Sequence, residues 1–367
     1  MPSLAEVLRR LWPAYERKFG ARLLPSHQRA VQAILSCRTP ALGGQLFGCD
    51  CGRREYVYHS CNHRACPQCG QADATEWLNR QRSKLLPVPY WLITFTVPQE
   101  LRSIIRSNQR PLYDLLLRAS AGAQLEVGRD HKDLGAQLGV LAVLQTWARD
   151  LHYHPHVHCV VPGGGLSQEG LRWVRPRQPD YFLPQAKLAM HFRTRFKKAL
   201  EGRHAELFAQ IPAKVWRTKW VADVQPVGSG EPALKYLARY VYRTALSAER
   251  IVADDQRGVT FTYRDNQRQE RQLTLSPETF LHRFLQHVLP KGFQRVRHFG
   301  WLSPAAKKRF ERIAALLDWK APAAPGATAE PQAPLCPCCQ RPMRLMEVLA
   351  RPPPVRQLTL NLGADSS

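Results

Sequence analysis

"HYHPHVHCVV", residues 152–161, sets a histidine at every second position, His152, His154, His156 and His158, and then turns apolar. Along a β-strand, side chains two apart share a face. The stretch therefore reads as a strand opened by Pro155, with His156 and His158 together on one face and Val157 pointing into a core. "PGGG", residues 162–165, closes it with a turn. His152 and His154 are left in the approach to the strand. Two imidazoles held side by side are a ready site for a divalent cation. A histidine pair on a strand is more often merely hydrogen-bonded or solvated, so it needs a chemical companion before it signifies chemistry.

Working outward, "PYWLITFTVP" (89–98) and "LGVLAVLQTW" (138–147) are β-branched, apolar runs of strand length, and residues 99–128 between them have helical character. "PQAKLAMHFRTRFKKALE" repeats Leu188, Phe192, Phe196 and Ala199 at helical spacing. "KWVADVQPV" is a further strand, "EPALKYLARYVYRTAL" a further helix, and "GVTFTYRDNQRQERQLTL" a hairpin. Near the N-terminus, Ser3 and Glu6 have capping-box spacing ahead of the stripe Leu4, Val7, Leu8 and Leu11, and a second helix starts at Ser26. Strands mixed with helices, hairpin-type neighbours and no glycine-rich phosphate loop predict an α+β fold with a largely antiparallel sheet flanked by helices. The expected organisation is a helical, cysteine-bearing N-terminal domain over 1–88, a catalytic domain over 89–318, and a Pro/Ala-rich linker with a flexible tail over 319–367.

The companion is "KYLARYVYR". At about 100° per residue, Leu234, Leu237, Ala238, Val241 and Ala245 fall in one apolar sector, and Tyr236 and Tyr240 sit one turn apart on the opposite face, flanked by Arg239 and Arg243. Phenols outside the apolar sector and beside arginines suit nucleophiles or base-stacking platforms better than core packing. A cation on the histidines acting on a phosphodiester, with a tyrosine oxygen as nucleophile, is the mechanism these parts make together. The third ligand stays open among His154, Gln145 and Glu231.

Lys and Arg number 53 against 29 Asp and Glu, a net charge of +24. Such an excess favours a polyanionic partner, nucleic acid before a membrane surface, because the cations are mostly Arg and spread along the chain. Arg193 and Lys197 in "RTRFKK" are candidate phosphate contacts, although a charged helix face is usually just solvated. No apolar run is long enough to span a membrane and no signal peptide is visible, so the expectation is a cytoplasmic protein, where cysteines point to metal more than to disulfides.

Six of the ten cysteines lie between Cys37 and Cys69. Cys49, Cys51, Cys66 and Cys69 read as two knuckles of one structural zinc site, with Cys37, Cys61, His59 or His63 as possible alternates because Cys-x-Cys is tighter than the usual knuckle. One zinc is expected rather than two. Buried reduced thiols fit less well among flanking Arg, Asn and Gln. Cys336 and Cys339 in "CPCC" have knuckle spacing but nothing downstream to complete four ligands, and read as a half-knuckle in the tail.

His-hydrophobic-His at 156–158 followed by Tyr-x-x-x-Tyr at 236 and 240 resembles the HUH single-strand endonucleases. The whole chain resembles their rolling-circle transposases, the two-tyrosine transposases of the insertion-sequence ninety-one family. "CRTPALGGQLFGC", "SCNHRACPQC", "WLITFTVPQELR", "LQTWARDLHYHPHVHCVVPGGGL", "KYLARYVYRTALSAERI" and "LPKGFQRVRHFGWLS" carry that resemblance in order, from about residue 25 to 303. It implies an N-terminal zinc module and an antiparallel-sheet nuclease with His156 and His158 on Mg²⁺ or Mn²⁺. It further implies Tyr236 and Tyr240 as nucleophiles forming 5′-phosphotyrosine links with single-stranded DNA at element ends, in a nucleoid-associated bacterial protein. "CDCG" departs from the family's first knuckle, and Ala248 stands where asparagine is common. A plasmid replication initiator, a conjugative relaxase, or a non-catalytic zinc protein that binds DNA are the competing readings.

Overall fold

The computed structural model describes residues 1–242, 245–265, 267–322 and 333–352, without the side chains of Gln71, Ala72, Arg239, Tyr240, Tyr242 and Ala248. Helix α1 (Leu4–Phe19) opens with the expected capping box, Ser3 and Glu6 exchanging side-chain and backbone hydrogen bonds, and α2 (Pro25–Ser36) follows. The chain then makes a hairpin of β1 (Gly44–Gly48) and β2 (Arg54–Tyr58), and enters α3 (Gln71–Arg82).

The central unit begins with β3 (Tyr90–Thr96), followed by α4 (Arg102–Ser107) and α5 (Gln109–Arg129). Next come the short β4 (Ala136–Gln137), then β5 (Gly139–Trp147) and β6 (Tyr153–Pro162). Two further short strands, β7 (Gly165–Ser167) and β8 (Trp173–Val174), lead to α6 (Gln185–Arg203), α7 (Ala205–Ala209), β9 (Val221–Pro226) and α8 (Glu231–Tyr242). A meander of β10 (Ile251–Asp255), β11 (Gly258–Arg264) and β12 (Glu270–Leu275) precedes α9 (Pro277–Leu285), β13 (Val296–Gly300), α10 (Lys307–Leu316) and β14 (Arg344–Leu349).

The main sheet has the order β13-β5-β6-β3-β9 with every neighbour antiparallel, as the sequence predicts. Its two faces differ in kind. Trp91, Ile93, Phe95, Val140, Ala142, Leu144, Val157, Cys159 and Val161 pack under α5 and α6, where Phe192 lies on Phe95 with ring centroids 5.0 Å apart. The opposite face carries Leu141, Val143 and Val160 under Leu234, Leu237, Ala238 and Val241 of α8. Both faces are covered, so β5 is buried along its whole length rather than alternating.

A second core joins α1 and α2 to α9, Phe261 of β11 and Leu275 of β12, so the N-terminal helices share buried surface with residues beyond the expected boundary at 88. Within the C-terminal segment, β14 pairs antiparallel with β1, making the small sheet β14-β1-β2.

Candidate active site and cysteine clusters

Strand β6 begins at Tyr153, two residues earlier than Pro155 suggested, so His154 lies inside the strand on the face of His156 and His158. Proline is tolerated there although its nitrogen donates no ladder bond. His156 and His158 are both buried, at 7% exposure, and their Nε2 atoms lie 3.1 Å apart. Each ring is oriented from behind. His156 Nδ1 lies 2.7 Å from the His154 carbonyl oxygen, to which it donates, and His158 Nδ1 lies 3.0 Å from Thr94 Oγ1. A proton held on Nδ1 leaves the Nε2 lone pair free as a ligand. Burial lowers both basicities, His158 to about 4 and His156 well below the ordinary value, so both rings are neutral at pH 7.

Two lone pairs facing each other at this distance invite a cation. Adjacent octahedral ligands at roughly 2.1 Å from a metal stand about 3.0 Å apart, close to the spacing found. Gln145 lies opposite His156 in register, and its amide Nε2 donates to the Trp147 carbonyl at 3.0 Å while its Oε1 is buried with no hydrogen-bond partner. An orphaned oxygen on the residue paired with His156 suits a third ligand. Glu231 is engaged elsewhere, with Arg82 at 2.7 Å and Lys235 at 3.0 Å. His154 is half-buried with its ring 5.0 Å from that of His156, but its nitrogens do not converge with the pair.

Helix α8 lies over this face through the apolar sector read from the sequence. Tyr236 emerges beside the pair, 39% exposed, with its ring edge-on to His158 at 5.9 Å. The side chains of Tyr240 and Arg239, and all of Arg243, lie outside the described residues. Arg193 and Lys197 belong to α6 on the other face of the sheet, away from the histidines, and Lys197 lies 5.9 Å over the Phe208 ring. Two neighbours of the pair escaped sequence reading. Thr94 is found only through strand register, facing His158 across β3. Arg102 sends its positive charge toward His154 and His156, and its buried Nε has no hydrogen-bond partner. Beside α8, a cleft of 660 Å³ lies between the loop around Arg64, Val241 and the segment Lys291–Arg295.

The cysteines form two groups of four, not the single site expected from Cys49, Cys51, Cys66 and Cys69. Cys37, Cys61, Cys66 and Cys69 gather in one, and Cys49, Cys51, Cys336 and Cys339 in the other, each with its sulfurs within 4.8 Å of one another. The hairpin explains the correction. Cys37 and Cys61 flank its base, where Gly44 faces Tyr58, whereas Cys49 and Cys51 sit at its tip beyond Gly48 and Arg54. Five residues of strand at about 3.4 Å each keep the two ends on the order of 15 Å apart. A tetrahedron of thiolates around zinc at about 2.3 Å has edges near 3.8 Å. The contacts Cys37–Cys69 at 3.4 Å and Cys61–Cys69 at 3.6 Å fit that size. The surrounding thiols, Cys66 foremost, lower the Cys61 thiol to about 5. His63 instead accepts from the Ala65 amide, and takes no part in either group.

A cysteine-bearing N-terminal region thus precedes an antiparallel sheet with a paired-histidine face, on a chain of net charge +24. Residues 139–309 match the family described as "Putative transposase", and residues 7–97 match the "Transposase zinc-binding domain" of the IS91 type. The chain is 36% identical over 353 residues to a Sinorhizobium fredii protein named "Putative transposase y4qJ", covering 91% of this chain and 87% of that one. It is 30% identical over 293 residues to the transposase for insertion sequence element IS801 of Pseudomonas savastanoi pv. phaseolicola, covering 74% and 69%. No solved structure matches significantly. The chain belongs to the IS91-type transposases, which are DNA-processing enzymes. No described helix is long and apolar enough to cross a membrane.

Proposed function

We propose that this transposase nicks and rejoins single-stranded DNA as an HUH-type endonuclease, with Tyr236 as a nucleophile and His156, His158 and Gln145 as the ligands of a divalent cation. The observation that carries the reading is the placement of the Tyr236 ring against His158, whose Nε2 faces that of His156 at 3.1 Å. When bound, Mn²⁺ or Mg²⁺ would polarise the scissile phosphate as a Lewis acid, imidazole donors favouring Mn²⁺. The chain's own residues supply the rest. The Tyr236 oxygen forms a bond to phosphorus, the bond from phosphorus to the 3′ oxygen breaks, and the phenolic proton passes through solvent to the departing 3′-hydroxyl. The product is a 5′-phosphotyrosine. One phosphodiester replaces another, so the step runs without nucleotide hydrolysis, and attack by a 3′-hydroxyl reverses it.

Arg102 supports the phosphate's charge from the side of His154. Tyr240, one turn along α8, is assigned the second strand, which a rolling-circle reaction requires, and Arg239 and Arg243 the flanking phosphates. The cleft bordered by Arg64, Lys291 and Arg295 offers the unpaired strand a basic path toward α8.

The test incubates the full chain with end-labelled single strands and Mn²⁺, then denatures it. A covalent adduct that persists in either single Phe variant and disappears with Tyr236→Phe plus Tyr240→Phe is expected. An adduct that survives the double change refutes the assignment.

A further inference from the structure

The second cysteine group lies outside both family matches at its C-terminal half, since Cys336 and Cys339 follow residue 309. Its geometry is that of a built site. Cys49 Sγ lies 3.4 Å from Cys339 Sγ, and Cys51 Sγ lies 3.5 Å from Cys336 Sγ. Both pairs come from tight turns. Gly52, at φ 88°, closes the hairpin tip by donating to the Cys49 carbonyl, and Cys336 bonds through its backbone to Arg341 and Gln340 across the turn that includes Cys339. Cys338 stands between two members of the group yet is exposed and outside it.

We propose that Cys49, Cys51, Cys336 and Cys339 bind a second structural zinc, which fastens the C-terminal segment 333–352 to the N-terminal hairpin. Strand β14 then completes the small sheet by pairing along β1, Gly44 with Leu349 and Gly48 with Arg344. Apolar burial at this junction is thin, resting on Phe47, Cys336 and Met343 with Cys49 against them. Three side chains offset little of the entropy lost in ordering some twenty residues, and a two-stranded hairpin is marginal alone. A metal joining positions 285 residues apart in sequence closes that deficit. Arg53, within electrostatic reach of Cys336, moderates the negative charge of four thiolates.

The experiment counts zinc released from the denatured full chain, purified without added chelator. Two zinc ions per chain are expected in the wild type and in Cys338→Ser, and one in Cys336→Ser with Cys339→Ser. A wild type holding one zinc that the double change leaves in place overturns the proposal. Loss of a zinc with Cys338→Ser overturns the ligand assignment. Alkylation of the native wild type guards against a variant that does not fold. Cys51 and Cys338 are both exposed, so burial protects neither thiol from the reagent. Zinc would slow Cys51 at least about tenfold until a chelator is added. Equal rates at Cys51 and Cys338 before chelation refute the site. Neither readout involves DNA, so the result stands apart from the nicking reaction.

Discussion

Thr94 offers a test of the histidine pair that leaves both ligands in place. Its Oγ1 lies 3.0 Å from His158 Nδ1, and Thr94 faces His158 directly in the register of β3 and β6. Thr94→Val keeps the shape and removes the acceptor. The Nδ1 proton then has no partner and the ring is free to place its proton on Nε2, the atom that must carry the lone pair. Loss of such an outer partner costs roughly 10- to 100-fold in metal affinity, equivalent to about 1.4 to 2.7 kcal/mol. Calorimetric titration of the full chain with Mn²⁺ measures it directly. Thr94→Ser, which restores the oxygen, is expected to bind within a few-fold of wild type. Thermal unfolding without added Mn²⁺ checks that the Val variant is folded. Wild-type affinity in Thr94→Val, or equal weakness in the Ser and Val variants, refutes the reasoning that this hydroxyl sets the tautomer.

The remaining expectations concern the fold. Burial lowers His287 to about 3 and His27 to about 4 from an ordinary 6.5, with Arg106 adding repulsion to both, His282 to His27 and Arg295 to His287. The unfolded chain therefore takes up these protons first. Stability is full above pH 6.5 and falls as pH drops from there toward 4 and then 3, by on the order of 1 kcal/mol per pH unit for each group; a denaturation midpoint unchanged between pH 7 and 5 contradicts this. Phe192→Ala empties a fully buried site against Phe95, Phe196 and Trp220 and is expected to cost about 3 to 5 kcal/mol in urea unfolding. Gly300→Ala places a methyl group into the Leu138 carbonyl oxygen at φ 61° and lowers the unfolding midpoint, whereas Gly20→Ala, with open space around it, does not.

The elements legible in the sequence are those whose periodicity reflects a single environment. Leu234, Leu237, Ala238 and Val241 on α8 mark the side that meets the sheet, and Val157 alternates with His156 and His158 because β6 separates an apolar core from a polar pocket. What escaped is what only register or distant chain contact decides. Nothing near Thr94 in sequence points to His158, 64 residues away. The cysteines misled for a related reason: spacing records proximity along the chain, but a hairpin sends Cys49 and Cys51 to its tip while Cys37 and Cys61 stay at its base. The partners of Cys49 and Cys51 arrive from a turn nearly three hundred residues later, and β14 beyond it reads as ordinary tail sequence because its residues are almost wholly exposed.

Register also explains how one strand can be both a core element and a rigid mount. A slip of a single residue in β6 would bury the imidazoles under α5 and α6 and expose Val157 and Cys159 to the pocket. Against β3 the register runs unbroken from Thr96 opposite His156 to Tyr90 opposite Pro162, so the apolar set Ile93, Phe95, Val157 and Cys159 holds the histidines in place. Against β5 it is broken once, between Gln145 and Trp147, immediately beyond the pairing of Gln145 with His156. An irregularity there re-aims a side chain without disturbing the rest of the ladder. The Gln145 amide is turned back onto the Trp147 carbonyl, and its oxygen is left buried and unsatisfied on the residue opposite His156. In the proposed cation site that oxygen would supply the third ligand, and the break in the ladder is what frees it to do so.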